Sequence, residues 1–366
     1  MAQILTFLGK GGCGSTTFAI ATAKQLAAQG RRVLLVIQDV TPAPGILLGS
    51  ALTALRQEIQ PQLWALQIHT TDLLEHSWDS LKGLEARYLR TPFLKDIYGQ
   101  ELAVLPGMDE ALALNALREY DASGDYDVII YDGSNAMGTL RMFGLPEVLD
   151  WYVRRFRGVF QQSDLVRTVS PLLQPIAATV LAVDWSGDLL EQPTGEVSSL
   201  LQQGRDAVSD PHRVLAFLVT TPAAAAIATA RYVWGSAQQI GLTVAGVLIN
   251  QGTLDPEYER SFAPLPHFSM PGQTGQDWSA LMANLPDPQH LAQTANRSTV
   301  VDLGSRVVKL FLPSFDKSQV KLTQSGPEVT VQAGNQRRNL ALPAQLQGKS
   351  ITGARFQDQY LVISFA

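Results

Sequence analysis

The chain has 366 residues, 46% hydrophobic and 17% charged, with a net charge of −5. Length and apolar content support a large core shared between more than one domain, and the acidic balance argues against a nucleic-acid binder. Charge is uneven: from Arg297 onward nine Lys/Arg stand against four Asp/Glu, about +5, leaving about −10 on the body; this favours docking of the tail on the body, or of an acidic partner on the tail.

In chain order, the apolar run Ile4–Leu8 enters a glycine-rich loop, Gly9-Lys10-Gly11-Gly12-Cys13-Gly14-Ser15-Thr16-Thr17, and then an amphipathic helix. Backbone amides and a helix N-terminus in that setting bind phosphate. In the pattern G-x-x-x-x-G-K-[ST] the penultimate place belongs to lysine; here it is Ser15, and the loop's lysine is Lys10. Cys13 is the only cysteine, which rules out an intrachain disulfide and a Cys-based zinc site. A second strand, 32–37, ends in Gln38-Asp39, and another, 126–131, ends in Asp132-Gly133. Acids at strand ends supply magnesium and water contacts in α/β nucleotide sites.

Residues 50–100 carry Leu and Trp at helical spacing (Leu47, Leu48, Leu52, Leu55, Leu63, Trp64, Leu66, Leu73, Leu74, Trp78, Leu81). A short strand at 102–107 and a helix over 108–120 follow. Residues 139–210 read as mostly helical, with a strand near 178–183; the apolar spacing from Leu145 to Phe160 lies beside Arg154, Arg155 and Arg157. Such stripes build either core or an apolar groove. Strand, helix, strand is expected over 214–221, 222–239 and 244–250. Alternating strands and helices, several strands apolar throughout, indicate a parallel sheet covered on both faces. The longest uncharged stretch, 214–230, is interrupted by Thr220-Thr221-Pro222, so no membrane span is expected. The N-terminus lacks a basic signal-peptide start, and a cytoplasmic protein is the expectation. The five histidines are scattered without metal-ligand spacing. After about Asn296, short strands at 307–312, 320–322, 328–331, 338–342 and 360–365 separated by Gly, Pro and Gln predict an all-β sandwich.

The ordered set G-K-G-G-C-G-S-T-T, D-G-S-N-A-M-G-T-L-R at 132–141, L-P at 145–146, V-T-T-P at 219–222 and I-N-Q at 249–251 resembles the ArsA-type ATPases, the arsenite-pump ATPases and those that target tail-anchored membrane proteins. The tail, through Phe311-Leu312-Pro313-Ser314-Phe315, Leu340–Pro343 and Gln359–Ile363, is similar to the α-crystallin domain of small heat-shock proteins. The combination resembles the d-type branch of the targeting ATPases. The implied fold is α/β: a P-loop NTPase over 1–295, with a mostly parallel sheet and a helical client subdomain inserted around 50–100 and 145–205, and an α-crystallin-like β-sandwich over 296–366.

The resemblance also implies roles. Lys10 matches the signature lysine that reaches a partner's nucleotide across a dimer. Thr16 matches the magnesium-binding hydroxyl, Thr17 the residue near the α-phosphate, Asp132 the acid that holds the metal's water, and Asn250 the asparagine that reads the adenine edge. The implied nucleotide-binding set is Gly9 through Thr17 with Asn250, and the catalytic set is Lys10, Asp39 and Asp132. ATP and Mg2+ are the implied cofactors, and a homodimer with a hydrophobic client, a transmembrane segment or a lipid, the implied partners. Three departures stand out. Ser15 replaces the lysine that neutralises the β- and γ-phosphates, a loss of about 2–3 kcal/mol of phosphate binding. The water-orienting acid of the first switch falls on an apolar residue in the segment from Asp39 to Leu48, so turnover is expected to be weak or absent. The C-x-x-C pair is missing, so no zinc is expected, and neither are the arsenite-binding cysteines present. The alternatives are a degenerate non-hydrolysing scaffold, or a small-molecule- or lipid-binding protein, on the same fold.

Overall fold

The computed structural model describes residues 1–75, 107–162 and 194–366 apart from 274, 326, 327, 335 and 341; for 153–162 and 194–197 it describes the backbone alone. Its centre is an eight-stranded sheet. In chain order the elements are β1 (Gln3–Gly9), α1 (Ser15–Ala28), β2 (Val33–Ile37), α2 (Ala43–Leu48), β3 (Gln57–Gln60), β4 (Leu63–Gln67), α3 (Met108–Ser123), β5 (Val128–Asp132), α4 (Ala136–Gln162), α5 (Thr194–Ser209), β6 (Val214–Thr220), α6 (Ala224–Gln239), β7 (Thr243–Ile249), α7 (Pro256–Ser261), β8 (His267–Ser269), α8 (Ser279–Asn284) and α9 (Pro288–Thr294). The strand order is β3-β4-β2-β5-β1-β6-β7-β8. Only β3–β4 pairs antiparallel; the other pairs are parallel.

The near-continuous apolar runs of β1, β2, β5, β6 and β7 follow from burial on both faces. In β5, Ile129 and Tyr131 enter one core with Leu140 and Phe143 of α4 and Trp234 of α6. The alternate residues Val128 and Ile130 enter a second core with Phe18 and Ile20 of α1, Leu281 of α8 and Leu291 of α9. The parallel arrangement brings the C-terminal ends of β1, β2 and β5 to one edge, where open α/β sheets bind ligands.

The helical reading of 50–100 is corrected within the described part. Residues 57–60 and 63–67 are strands, and Leu63, Ala65 and Leu66 belong to the sheet core, not to an open stripe. A strand buried on both faces shows no period of two, and its apolar run passes for helix. Trp64 packs edge-on against Tyr126 at 5.9 Å. Leu48 and Leu74 are buried and Leu55 is exposed in a loop. Trp78, Leu81 and the expected strands at 102–107 and 178–183 lie outside the described residues, save Gly107, which precedes α3; the side chains from Val153 to Phe160 do too.

The C-terminal region holds β9 (Thr299–Asp302), β10 (Val307–Phe311), β11 (Val320–Ser325), β12 (Glu328–Ala333), β13 (Gln336–Leu340), β14 (Ile351–Gln357) and β15 (Tyr360–Phe365). They form two antiparallel sheets, β14-β15-β10-β9 and β11-β12-β13. Alternate residues of β10, β12 and β15, among them Val308, Leu310, Val329, Val331, Leu361 and Ile363, meet in one core between the sheets. This sandwich docks on α6 of its own chain. Trp234, fully buried, meets Phe311 edge-on at 5.7 Å. Gly235 is a glycine because a Cβ there would strike the Pro313 carbonyl and the Phe315 ring. Gln239 donates to the Ala333 carbonyl and Gln359 to that of Ala263. Among the described residues, no helix is long and apolar enough to cross a membrane.

Candidate functional site

The loop between β1 and α1 is shaped by its glycines. A Cβ on Gly9 would collide with the Val219 carbonyl of the neighbouring β6. Gly12 and Gly14 have φ of +85° and +102°, a region that costs L side chains but not glycine. Cys13 is buried; its N–H donates to the Lys10 carbonyl at 3.1 Å. No side chain caps α1. The amides of Ser15, Thr16 and Thr17 are therefore the donors that a helix leaves without an intrahelical partner, at the positive end of its dipole. The only cation in the loop is Lys10, which is exposed.

Asn250, just after β7, donates its Nδ2 to the Cys13 carbonyl at 2.9 Å. A Cβ on Gly14 would lie 2.5 Å from that nitrogen. Asn250 thus braces the loop from the adjacent strand, and it lies against the loop's inner wall.

Asp132 closes β5 and is 2% exposed. Its carboxylate accepts the Thr16 hydroxyl, and its Oδ2 is buried without a partner. Burial pushes its pKa up to about 7; the Thr16 hydrogen bond opposes the rise and the nearby Asp39 charge adds to it. A buried carboxylate atom without a donor, beside a hydroxyl at a phosphate loop, suits a hydrated divalent cation, which replaces the missing donors and holds the acid ionised. Among the described residues, no group of three or more His, Cys, Asp or Glu could hold a metal by itself. A magnesium ion carried in by nucleotide phosphates needs fewer protein ligands.

Asp39 is half-buried and engaged by its own turn: its carboxylate accepts from Thr41 N (2.9 Å) and Thr41 Oγ1 (3.0 Å). The following α2 presents Ile46, 69% exposed, and Leu48, buried, neither of which can hold a water. The structure thus brings Lys10, Gly9–Thr17, Asp39, Asp132 and Asn250 to one edge of the sheet.

Three further residues shape the site without having been expected there. Gln67, at the end of β4, donates to the carbonyls of Asp39 and Thr41 and pins the loop after β2. Gln38 accepts from the Tyr131 hydroxyl at 2.6 Å and from Ser134 N at 3.4 Å, joining that loop to the one after β5. Burial raises the Tyr131 pKa, which keeps it a donor. The signal for Gln67 was a polar residue ending an apolar run, as Asp39 and Asp132 do; it was hidden while 63–67 read as helix.

The run after Asp132 has a local account. Asn135 starts α4, accepting from Gly138 N at 2.8 Å through its side chain. Thr139 donates to the Asn135 carbonyl, and a Cβ on Gly133 would strike its hydroxyl. Leu140 is fully buried, and Arg141 pairs with Glu110 of α3 at 3.5 Å.

A family model described as "Anion-transporting ATPase" matches residues 2–265, and one described as "HSP20-like domain found in ArsA" matches 304–365. The chain is 26% identical over 390 residues to a "Putative arsenical pump-driving ATPase" of Prosthecochloris vibrioformis, covering 99% of this chain and 96% of that one. It is 22% identical over 403 residues to "Putative arsenical pump-driving ATPase 1" of Aquifex aeolicus, covering 99% of each. An "ATPase ASNA1 homolog" of Babesia bovis is 31% identical over 144 residues, 39% of this chain and 38% of its own.

Proposed function

Because this chain belongs to the anion-transporting ATPase family and ends in that family's HSP20-like domain, we propose that it binds magnesium-ATP as a homodimeric switch that handles a hydrophobic client, with weak hydrolysis. The observation that carries the reading is Asp132: a buried carboxylate bonded to Thr16, with one oxygen left for a metal-bound water. A magnesium ion on the nucleotide would be held by Thr16 and, through water, by Asp132, and would supply the neutralising charge that Ser15 cannot. The chain's own part is to bind and orient. The amides of Gly11–Thr17 bind phosphate, Asn250 sets the loop's shape and lies toward the base side, and Lys10 reaches a partner's phosphates. Thr41 holds Asp39, so no residue on α2 orients a water, and this supports slow turnover.

A transmembrane segment or a lipid as client follows from the motif resemblance, and the exposed Val148 and Tyr152, one turn apart on α4, support an apolar surface. The cytoplasm is the proposed location. The non-hydrolysing scaffold is the second reading, favoured by Ser15 and the engaged Asp39. Turnover and light-scattering mass of wild type, Ser15→Lys and Lys10→Ala separate the two. The switch predicts a dimer, slow turnover that rises in Ser15→Lys, and loss of binding in Lys10→Ala. Binding without turnover in any form supports the scaffold.

A further inference from the structure

The N-terminus of α3, the first half of α4, the end of α6 and β13 border a cavity of about 380 Å3. It lies where the body meets the sandwich, and both its size and its place suit a small-molecule site. It is separate from the candidate nucleotide site: none of Gly9–Thr17, Asp39, Asp132 or Asn250 lines it.

Leu140, Leu145, Val148 and Ile240 give the cavity an apolar wall. Gly144 belongs to the same wall, in the interior of α4, and a Cβ on it would lie 3.3 Å from Ile240 Cγ2. Glycine weakens a helix interior; here its missing side chain leaves space beside Ile240 that a larger residue would fill. Four charged residues line the cavity, two of each sign. Glu110 pairs with Arg141 at 3.5 Å, Arg337 lies over the Trp151 ring at 5.2 Å, and Glu147 is the fourth. Their formal charges cancel, so the cavity has no net charge with which to compensate an ion that leaves water for an apolar wall.

The unmet hydrogen bonds of the lining are both acceptors. Gln239, 1% exposed, spends its Nε2 on the Ala333 carbonyl, and its Oε1 is buried without a donor. Glu147 Oε1 is likewise buried without one. A buried acceptor left open is costly, so an occupant that brings an O–H or N–H is preferred over one of the same shape that does not.

We propose that this cavity binds a neutral apolar molecule carrying a single hydroxyl or amide donor, a long-chain alcohol being the simplest of the class. The apolar body lies along Leu140, Gly144, Leu145 and Ile240, and the donor bonds Gln239 Oε1. Binding here needs no nucleotide, so the proposal stands whether or not the chain is an ATP switch.

The test is isothermal titration calorimetry on the full chain without nucleotide. The probes are 1-octanol, its isomer heptyl methyl ether, which keeps the oxygen and loses the donor, sodium octanoate and octylammonium chloride. The alcohol should bind saturably, one per chain, at least about fivefold tighter than the ether and at least about tenfold tighter than either ion. Gln239→Met should bring alcohol and ether to equal affinity. Gly144→Leu, which fills the space beside Ile240, should abolish binding of both. No saturable binding of the alcohol, which leaves water as the only occupant, overturns the proposal. So does an ether or an ion that binds as tightly as the alcohol in wild type, or a preference for the alcohol that survives Gln239→Met. Undiminished binding to a folded Gly144→Leu chain also overturns it, by placing the alcohol elsewhere. The comparison of the four probes needs no variant, so it decides even where a substitution prevents folding.

Discussion

Replacing Asp132 by asparagine tests the electrostatics of the site. In the folded chain this carboxyl has a pKa of about 7 against its usual 3.8, chiefly through burial. A folded pKa above the unfolded one means that stability is full below the lower value and is lost as pH rises towards the higher. Above pH 7, ionising the group costs the folded state about 4 kcal/mol; at pH 4.5 the cost is about 1 kcal/mol. Asp132→Asn removes that cost and keeps an acceptor for Thr16. Its amide nitrogen takes the place of the partnerless Oδ2, at about 1–3 kcal/mol. Without metal or nucleotide, the variant should be more stable than wild type by about 1–3 kcal/mol at pH 8, and equal or slightly less stable at pH 4.5. Urea unfolding followed by tryptophan fluorescence at the two pH values measures this. Magnesium-ATP at pH 8 should reverse the order, because only the carboxylate gains from the bound cation. A variant that differs from wild type equally at both pH values would refute the reasoning.

Other outcomes follow from close approaches. Gly14→Ala puts a Cβ 2.5 Å from Asn250 Nδ2 at a φ of +102° and should weaken ATP binding at least about tenfold; Gly11→Ala, with nothing within 4 Å, should leave the fold's Tm unchanged. Gly235→Ala should loosen the sandwich from α6, costing about 1–3 kcal/mol and exposing the segment around residue 296 to limited proteolysis. Gln67→Leu removes the donors that hold the Asp39 and Thr41 carbonyls; amide exchange in 38–48 should rise while that of β2 stays slow.

Much of this site was legible because chemistry and burial wrote the same pattern. β1, β2 and β5 are apolar runs ending in a glycine loop or an acid, so strand positions and candidate ligands were read together. β4 was misread because an apolar run in a doubly buried strand carries no alternation, and β3 because a four-residue, mostly polar edge strand carries no apolar pattern. β8, β9 and β14 were missed because they are short or exposed strands, and little apolar patterning marks their ends. The contact of β13 with α4 could not be read at all: nothing in the sequence pairs Arg337 with Trp151 until folding sets β13 beside α4. The opposite charges of tail and body gave only the sign of the attraction, whereas docking is carried largely by Trp234, Gly235 and Phe311.

The most direct measurement is equilibrium binding of labelled ATP to the purified chain, with and without magnesium, for wild type and Asp132→Ala. Saturable binding of one ATP per chain that weakens strongly when magnesium is withdrawn or Asp132 removed is the predicted result. Absence of binding, or binding indifferent to both magnesium and Asp132, would contradict the account.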